Sequence, residues 1–215
     1  MRTQVVSLAQ DVTRRRKFDE AFKGTGLDYR FCDAIYGGEL PANKYFEMGV
    51  QGQKRILSPA ELGCSLSHCS ALERLLVNNL IFGLILEDDI KIQNRQLLEE
   101  FLHYTYKPNT LYILGGQQGL RRPRCLSSVR NNKKGTYGRW SSYFLQRTCC
   151  YGGDQNTLTR LYDYLNERSQ KVLADDWPKI VYGAGIASIE YWPIFEHPTD
   201  LSDSHIEQDR LLFRN

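Results

Sequence analysis

Ile81-Phe82-Gly83-Leu84-Ile85-Leu86-Glu87-Asp88-Asp89 decides how the chain is read. An apolar run of strand length ends abruptly in three consecutive carboxylates. Asn78 and Asn79 precede it, and its β-branched and aromatic content predicts a buried strand. Open α/β sheets bind ligands at the C-terminal ends of their strands, so the acidic residues fall where a ligand is expected. Adjacent carboxylates repel one another and are costly to hold beside a low-dielectric core. A divalent cation offsets that cost, and an oxygen-rich cluster suits Mg²⁺ or Mn²⁺. The plainer reading is a solvated acidic turn that ends the strand.

Before this run, Ser58-Pro59-Ala60-Glu61 predicts a helix start: Ser58 as N-cap, Pro59 at the first helical position, Glu61 closing a capping box. Leu62, Leu66, Cys69, Leu72 and Leu76 recur at spacings of three and four, and Cys64, Ala71 and Leu75 widen the stripe, so the helix is well buried. His68 falls on the second stripe, where it is a core histidine or a site residue. Gly63, Ser65 and Ser67 allow close approach of a strand or ligand. Nearer the N-terminus, Val5–Leu8 reads as a first strand and Leu27–Ile35 as a second. Between them, Asp11 or Thr13 caps a helix carrying Phe18, Ala21 and Phe22. Its first turns hold Arg14, Arg15 and Arg16, the end at which the helix dipole disfavours cations. A rule broken in this way points to a functional role, such as meeting an anionic ligand.

After the acidic run, Leu97, Leu98, Phe101 and Leu102 mark an amphipathic helix and Leu111–Leu114 another strand, which together predict a parallel βαβ unit. The span 116–138 reads as a long basic loop. Trp140–Tyr151 reads as a further strand or pair, broken by Gly152-Gly153-Asp154. A short helix follows over Leu158–Leu165. Asp175-Asp176 forms a second acidic pair, and Ile189–Trp192 is a strand ending at Pro193.

The 215 residues are 41% hydrophobic, enough for one sizeable core. A net charge of +3 is too small to argue for nucleic acid, so none is expected. The basic clusters at 14–17, 121–124 and 130–134 suit phosphate-bearing ligands or an anionic membrane surface. Six cysteines without CxxC spacing argue against zinc, and Cys64 and Cys69 read as small buried residues. The N-terminus lacks a long apolar leader region, and no stretch reaches the ~20 apolar residues of a membrane span. The expected setting is reducing and cytoplasmic. No Walker A loop, GxGxxG, HExxH or nucleophile elbow is present. A metal at the first cluster binding a diphosphate, arginines meeting phosphate charge and a base from the second cluster form one coherent scheme.

SPAELGCSLSH (58–68), LILEDDI (84–90) and LADDW (173–177) together resemble the bacterial glycosyltransferases of family 25, which build outer sugars of lipopolysaccharide and lipooligosaccharide. VVSLAQDVTRRRKF (5–18) is similar to that family's opening strand and arginine-bearing turn, and Asp33-Ala34-Ile35 to its second strand end. The resemblance implies an α/β fold of GT-A type, a Rossmann-like mixed sheet flanked by helices with a smaller acceptor-binding region. It implies one domain over 1–215, with 1–115 mainly binding nucleotide sugar and 116–215 mainly serving the acceptor and the base. The implied reaction is inverting transfer of a hexose, commonly galactose from UDP-galactose or else glucose from UDP-glucose, onto a lipooligosaccharide acceptor, with Mn²⁺ or Mg²⁺.

Under that resemblance Asp89 contacts the metal, with Glu87 and His197 (or His205) as further ligands, and Asp88 or Glu87 serves the ribose or metal-bound water. Ser7, Leu8, Arg14, Arg15, Asp33 and His68 join Glu87 and Asp88 around the nucleotide sugar. Asp175 or Asp176 is the catalytic base, the alternative for Asp176 being a helix N-cap. Work at the inner leaflet would explain the basic loops. Thr148–Asp154, with two glycines and an Asp, departs from the family's tyrosine-containing strand and following helix. The rival readings are a metal-dependent nucleotidyl or phosphoryl transferase and an inactive sugar-nucleotide-binding protein.

Overall fold

The structure is a computed structural model and describes residues 1–77, 79–117, 133–166 and 171–198. Among these, the strands are β1 (Arg2–Ser7), β2 (Tyr29–Asp33), β3 (Gly83–Glu87), β4 (Lys91–Ile92), β5 (Thr110–Gly115), β6 (Gly135–Gly138), β7 (Cys150–Gly153) and β8 (Ser188–Glu196). The α-helices are α1 (Val12–Phe22), α2 (Ala42–Tyr45), α3 (Pro59–Leu76), α4 (Arg95–Leu102), α5 (Gln155–Asn166) and α6 (Trp177–Gly183). The strands form one mixed sheet in the order β2-β1-β3-β7-β5-β8-β4, with β6 also on β8.

The acidic run is the strand β3, as its pattern predicts. Leu84, Ile85 and Leu86 are wholly buried, and burying each contributes about 1.5–3 kcal/mol. Their alternation splits the core. Leu84 and Leu86 join Val5, Phe18, Phe22 and Phe101 under α1 and α4. Ile85 joins Leu72, Leu75, Tyr151 and Trp177 under α3, α5 and α6. β1 lies parallel between β2 and β3, pairing Ser7 with Asp33 and Val6 with Glu87. The three strand ends therefore open on one edge.

α3 starts as predicted. Ser58 accepts from the Glu61 backbone N–H while the Glu61 carboxylate accepts from that of Ser58. Gly63 lets this helix press on the segment after β2: a Cβ there would stand 2.6 Å from the Ile35 carbonyl oxygen. Ser67 completes the junction, accepting from Ile35 N–H at 2.8 Å.

Four expectations are corrected. β3, α4 and β5 do not make adjacent parallel strands. β7 lies between β3 and β5 and is antiparallel to both. Gly152 and Gly153 belong to β7 and do not break it. They permit the insertion, because a Cβ on Gly152 would meet the Gly83 carbonyl oxygen at 2.4 Å. Much of Trp140–Tyr151 is not strand: Arg139–Phe144 is a 3₁₀ helix. β8 continues through Pro193 to Glu196. Its register on β5 shifts between Ile113↔Tyr191 and Gly115↔Phe195, so the proline sits at an irregularity, where its missing N–H interrupts no ladder bond.

Candidate active site

The β1, β2 and β3 ends open into a cleft of about 180 Å³. Ser7 and Leu8 line it after β1, Ala34 to Gly37 after β2, and Glu87, Asp88 and Asp89 after β3. Asp11 and Arg14 of the α1 region, Cys64, Ser67 and His68 of α3, and His197 just past β8 complete most of the wall.

Neighbouring carboxylates meet different partners, Glu87 at the end of β3 and Asp88 and Asp89 in the turn that follows it. Glu87 faces α3, where its Oε1 lies 3.3 Å from His68 Nε2 and accepts from Thr148 Oγ1 at 3.3 Å. Asp88 faces α1, with Oδ1 2.6 Å from Arg14 Nη2. The same guanidinium reaches Asp89 Oδ2 at 3.1 Å, and His197 Nε2 stands 3.6 Å from that oxygen. Arg14 thus breaks the helix-dipole rule because the acidic strand end lies opposite it.

Electrostatics mark the cluster as strained. Burial, reinforced by Asp89 and Glu87 and opposed by Arg14 and Ser7, pushes the Asp88 carboxyl up to about 6. Burial and the Glu87 charge raise Asp89 as well, against the pull of His197 and Arg14. Burial also acts to raise Glu87, but the neighbouring His68 and His197 rings and the Thr148 hydroxyl hold it below the usual range. Carboxylates about 4 Å apart repel by roughly 4 kcal/mol at an effective dielectric of 20. Three carboxylates against one guanidinium leave two formal negative charges, the amount a divalent cation offsets.

The donors fit such a cation. Ligand atoms of Glu87, Asp89 and His197 all lie within 4.8 Å of one another. Asp89 Oδ1 is buried and makes no hydrogen bond. His197 Nδ1 lies 2.8 Å from the Pro198 carbonyl oxygen. A carbonyl can only accept, so Nδ1 is the donor there, which leaves Nε2, the atom nearest Asp89, as the ring's ligand position.

The other expected residues are placed differently. Arg15 and Asp33 pair at 2.6 Å beside the cleft and do not line it. Arg15 also donates to the Ser7 carbonyl oxygen at 2.8 Å, tying the β1 and β2 ends together. Asp175 and Asp176 do not line the cleft either. Asp176 is the N-cap of α6 and pairs with Lys179 at 2.5 Å. Their turn connects to the cleft through aromatic packing: Trp177 stacks edge-on to Tyr151 at 5.3 Å, and Tyr151 Oη lies 3.1 Å from His68 Nδ1. His205 and the basic stretch 121–124 lie outside the described residues. Sequence reasoning missed Cys64 as a wall residue and treated it as core; it is half-buried. Its i,i+4 spacing to His68 was the signal that both share one helix face.

Comparison with known proteins agrees with this architecture. The family model described as glycosyltransferase family 25 (LPS biosynthesis protein) matches residues 1–127. A Haemophilus influenzae "Putative glycosyltransferase" is 30% identical over 133 residues, 59% of this chain and 46% of that protein. Procollagen galactosyltransferase 1-B of Xenopus laevis is 28% identical over 109 residues, 46% of this chain and 18% of that protein. The chain thus matches less than half the length of these relatives. Among solved structures, a Drosophila β-1,4-galactosyltransferase 7 mutant in complex with manganese, UDP-Gal and xylobiose superposes with a TM-score of 0.51 at 8% identity, covering 100% of this chain and 79% of that one. The mixed sheet flanked by helices is a GT-A type fold. With the family model spanning more than half its residues, the chain belongs to glycosyltransferase family 25.

Proposed function

We propose that this chain is a metal-dependent, inverting glycosyltransferase that moves a hexose, galactose from UDP-galactose before glucose from UDP-glucose, onto a lipooligosaccharide acceptor. The observation that carries the reading is the convergence of Glu87, Asp89 and His197 at the C-terminal end of β3, inside the cleft. The family's description as an LPS biosynthesis protein supports the acceptor class. The galactosyltransferase name of the Xenopus relative supports the donor.

In this proposal Glu87, Asp89 and His197 hold Mn²⁺ or Mg²⁺, which stabilises negative charge on the departing diphosphate. Ser7, Leu8 and Arg14 border the donor, with Asp88 keeping Arg14 in place. Arg15 and Asp33 shape the wall indirectly by joining β1 to β2. Asp175 or Asp176 takes the proton of the acceptor hydroxyl as its oxygen bonds to the anomeric carbon and the bond to UDP breaks. Residues 1–115 carry the donor side, and 116–215 the acceptor and the base. The enzyme works on the cytoplasmic side of the inner membrane, touching its anionic face peripherally; no helix among the described residues is long and apolar enough to cross a membrane.

The test is turnover of UDP-galactose with a lipooligosaccharide acceptor and Mn²⁺. Release of UDP, its loss in EDTA and its return with added Mn²⁺ are expected. Full activity in EDTA, or release of pyrophosphate in place of UDP, overturns the reading.

A further inference from the structure

A second group of metal-ligating side chains adjoins the acidic cluster. Cys64, His68 and Glu87 place one ligand atom each within 4.8 Å of one another. Cys64 and His68 sit one helical turn apart on α3, so the backbone presents both to the same side. All three line the cleft.

His68 is only 3% exposed, and its buried Nε2 makes no well-aligned hydrogen bond although Glu87 Oε1 is 3.3 Å away. Its other nitrogen, Nδ1, is 3.1 Å from the Tyr151 hydroxyl. With Nδ1 donating to that hydroxyl, the Nε2 lone pair faces the Glu87 carboxylate oxygen, a contact between two acceptors that a cation held between them relieves. A ligating histidine is characteristically oriented by such an outer hydrogen bond. Cys64 forms no disulfide.

We propose that Cys64, His68 and Glu87 form a second metal site, selective for a thiophilic divalent cation of the Zn²⁺ class. The donor set decides the selectivity. Thiolate, imidazole and carboxylate are the ligands of Zn²⁺, and small side-chain rotations bring three such atoms to bonds of about 2.0–2.3 Å. Mg²⁺ and Mn²⁺ favour oxygen and discriminate against the sulfur. Binding releases the Cys64 thiol proton to solvent. Three protein ligands leave a fourth position, which opens on the cleft. Glu87 belongs to both ligand groups, so a soft metal here draws on a carboxylate that the Asp89 group also uses.

The test uses the reduced 215-residue chain without any sugar donor, so its outcome is independent of the transferase reading. Co²⁺ serves as the spectroscopic probe. One equivalent is expected to produce a thiolate-to-cobalt charge-transfer band in the near ultraviolet, which Zn²⁺ abolishes by displacement. Cys64→Ser is expected to lose the band while its metal-free melting temperature stays near that of the parent chain. Tyr151→Phe is expected to weaken Co²⁺ binding by the roughly 10–100-fold typical of an outer-shell change. On the unmodified chain, Zn²⁺ is expected to slow alkylation of Cys64 as mapped by mass spectrometry, a readout that needs no variant to fold. Absence of the band, its survival in Cys64→Ser, or alkylation of Cys64 at an unchanged rate under saturating Zn²⁺ overturns the site.

Discussion

His197 Nε2 stands 3.6 Å from Asp89 Oδ2, although one residue follows β8 and the other follows β3, strands separated in the sheet by β7 and β5. If the pair shares a metal, His197→Ala weakens Mn²⁺ binding by more than the roughly 10–100-fold that outer-shell changes cost. UDP-hexose turnover then falls at limiting Mn²⁺ and is partly regained at high Mn²⁺. Mn²⁺ titration calorimetry alongside the rate reads both effects. An unchanged metal dependence removes His197 from the site.

Asp89→Asn separates function from stability. The carboxylate is raised in pKa by burial and by Glu87, and Oδ1 has no hydrogen bond. A neutral amide relieves that repulsion, so the metal-free variant melts at or above the parent temperature while turnover is lost. Mn²⁺ at a hundredfold excess over its Kd stabilises the parent by about 2.7 kcal/mol, and this increment disappears in the variant. A variant that melts well below the parent contradicts the assignment of strain.

Asp175 and Asp176 are told apart by stability. Asp176 caps α6, so Asp176→Ala costs about 1 kcal/mol in denaturant unfolding. If this turn supplies the proposed base, it is the position whose replacement lowers kcat while leaving donor binding intact. Asp175→Ala with normal kcat and Asp176→Ala with a purely structural loss would together exclude this turn as the source of the base.

Gly63→Ala probes the junction that builds the cleft wall. The added Cβ lies 2.6 Å from the Ile35 carbonyl oxygen and 2.7 Å from Gly37 N. Both are backbone atoms, so α3 must shift. Overpacking of this kind costs about 1–3 kcal/mol, and the shift carries Cys64 and His68 with it. Chemical denaturation measures the first effect, and the Kd for UDP-galactose the second. A variant with parental stability and affinity shows that the junction is soft.

Much of the first half of the chain was legible because its signals are local. The Ser58–Glu61 capping box, the stripe of Leu62, Leu72 and Leu75 and the apolar run into Glu87 each state a period or a cap that the backbone obeys. Pro193 and Gly152-Gly153 misled for one common reason. Both carry strong local preferences that a sheet overrides where it has an irregularity or needs close strand contact. Cys64 misled differently: an apolar stripe cannot tell a core position from a cleft wall, because both exclude charge.

The sequence by itself determined that an acidic triplet ends a buried strand, that α3 begins at Pro59 and presents Cys64 and His68 on one face, and that arginines crowd the start of α1. These are consequences of period and capping, which act over a few residues. Only the tertiary structure decided that Arg14 answers Asp88 and Asp89, that β7 separates β3 from β5, that Asp176 is held as a helix cap, and that His197 returns to Asp89. Those outcomes depend on strand order and on which faces oppose each other, and pairing between distant segments leaves no periodic mark on either one.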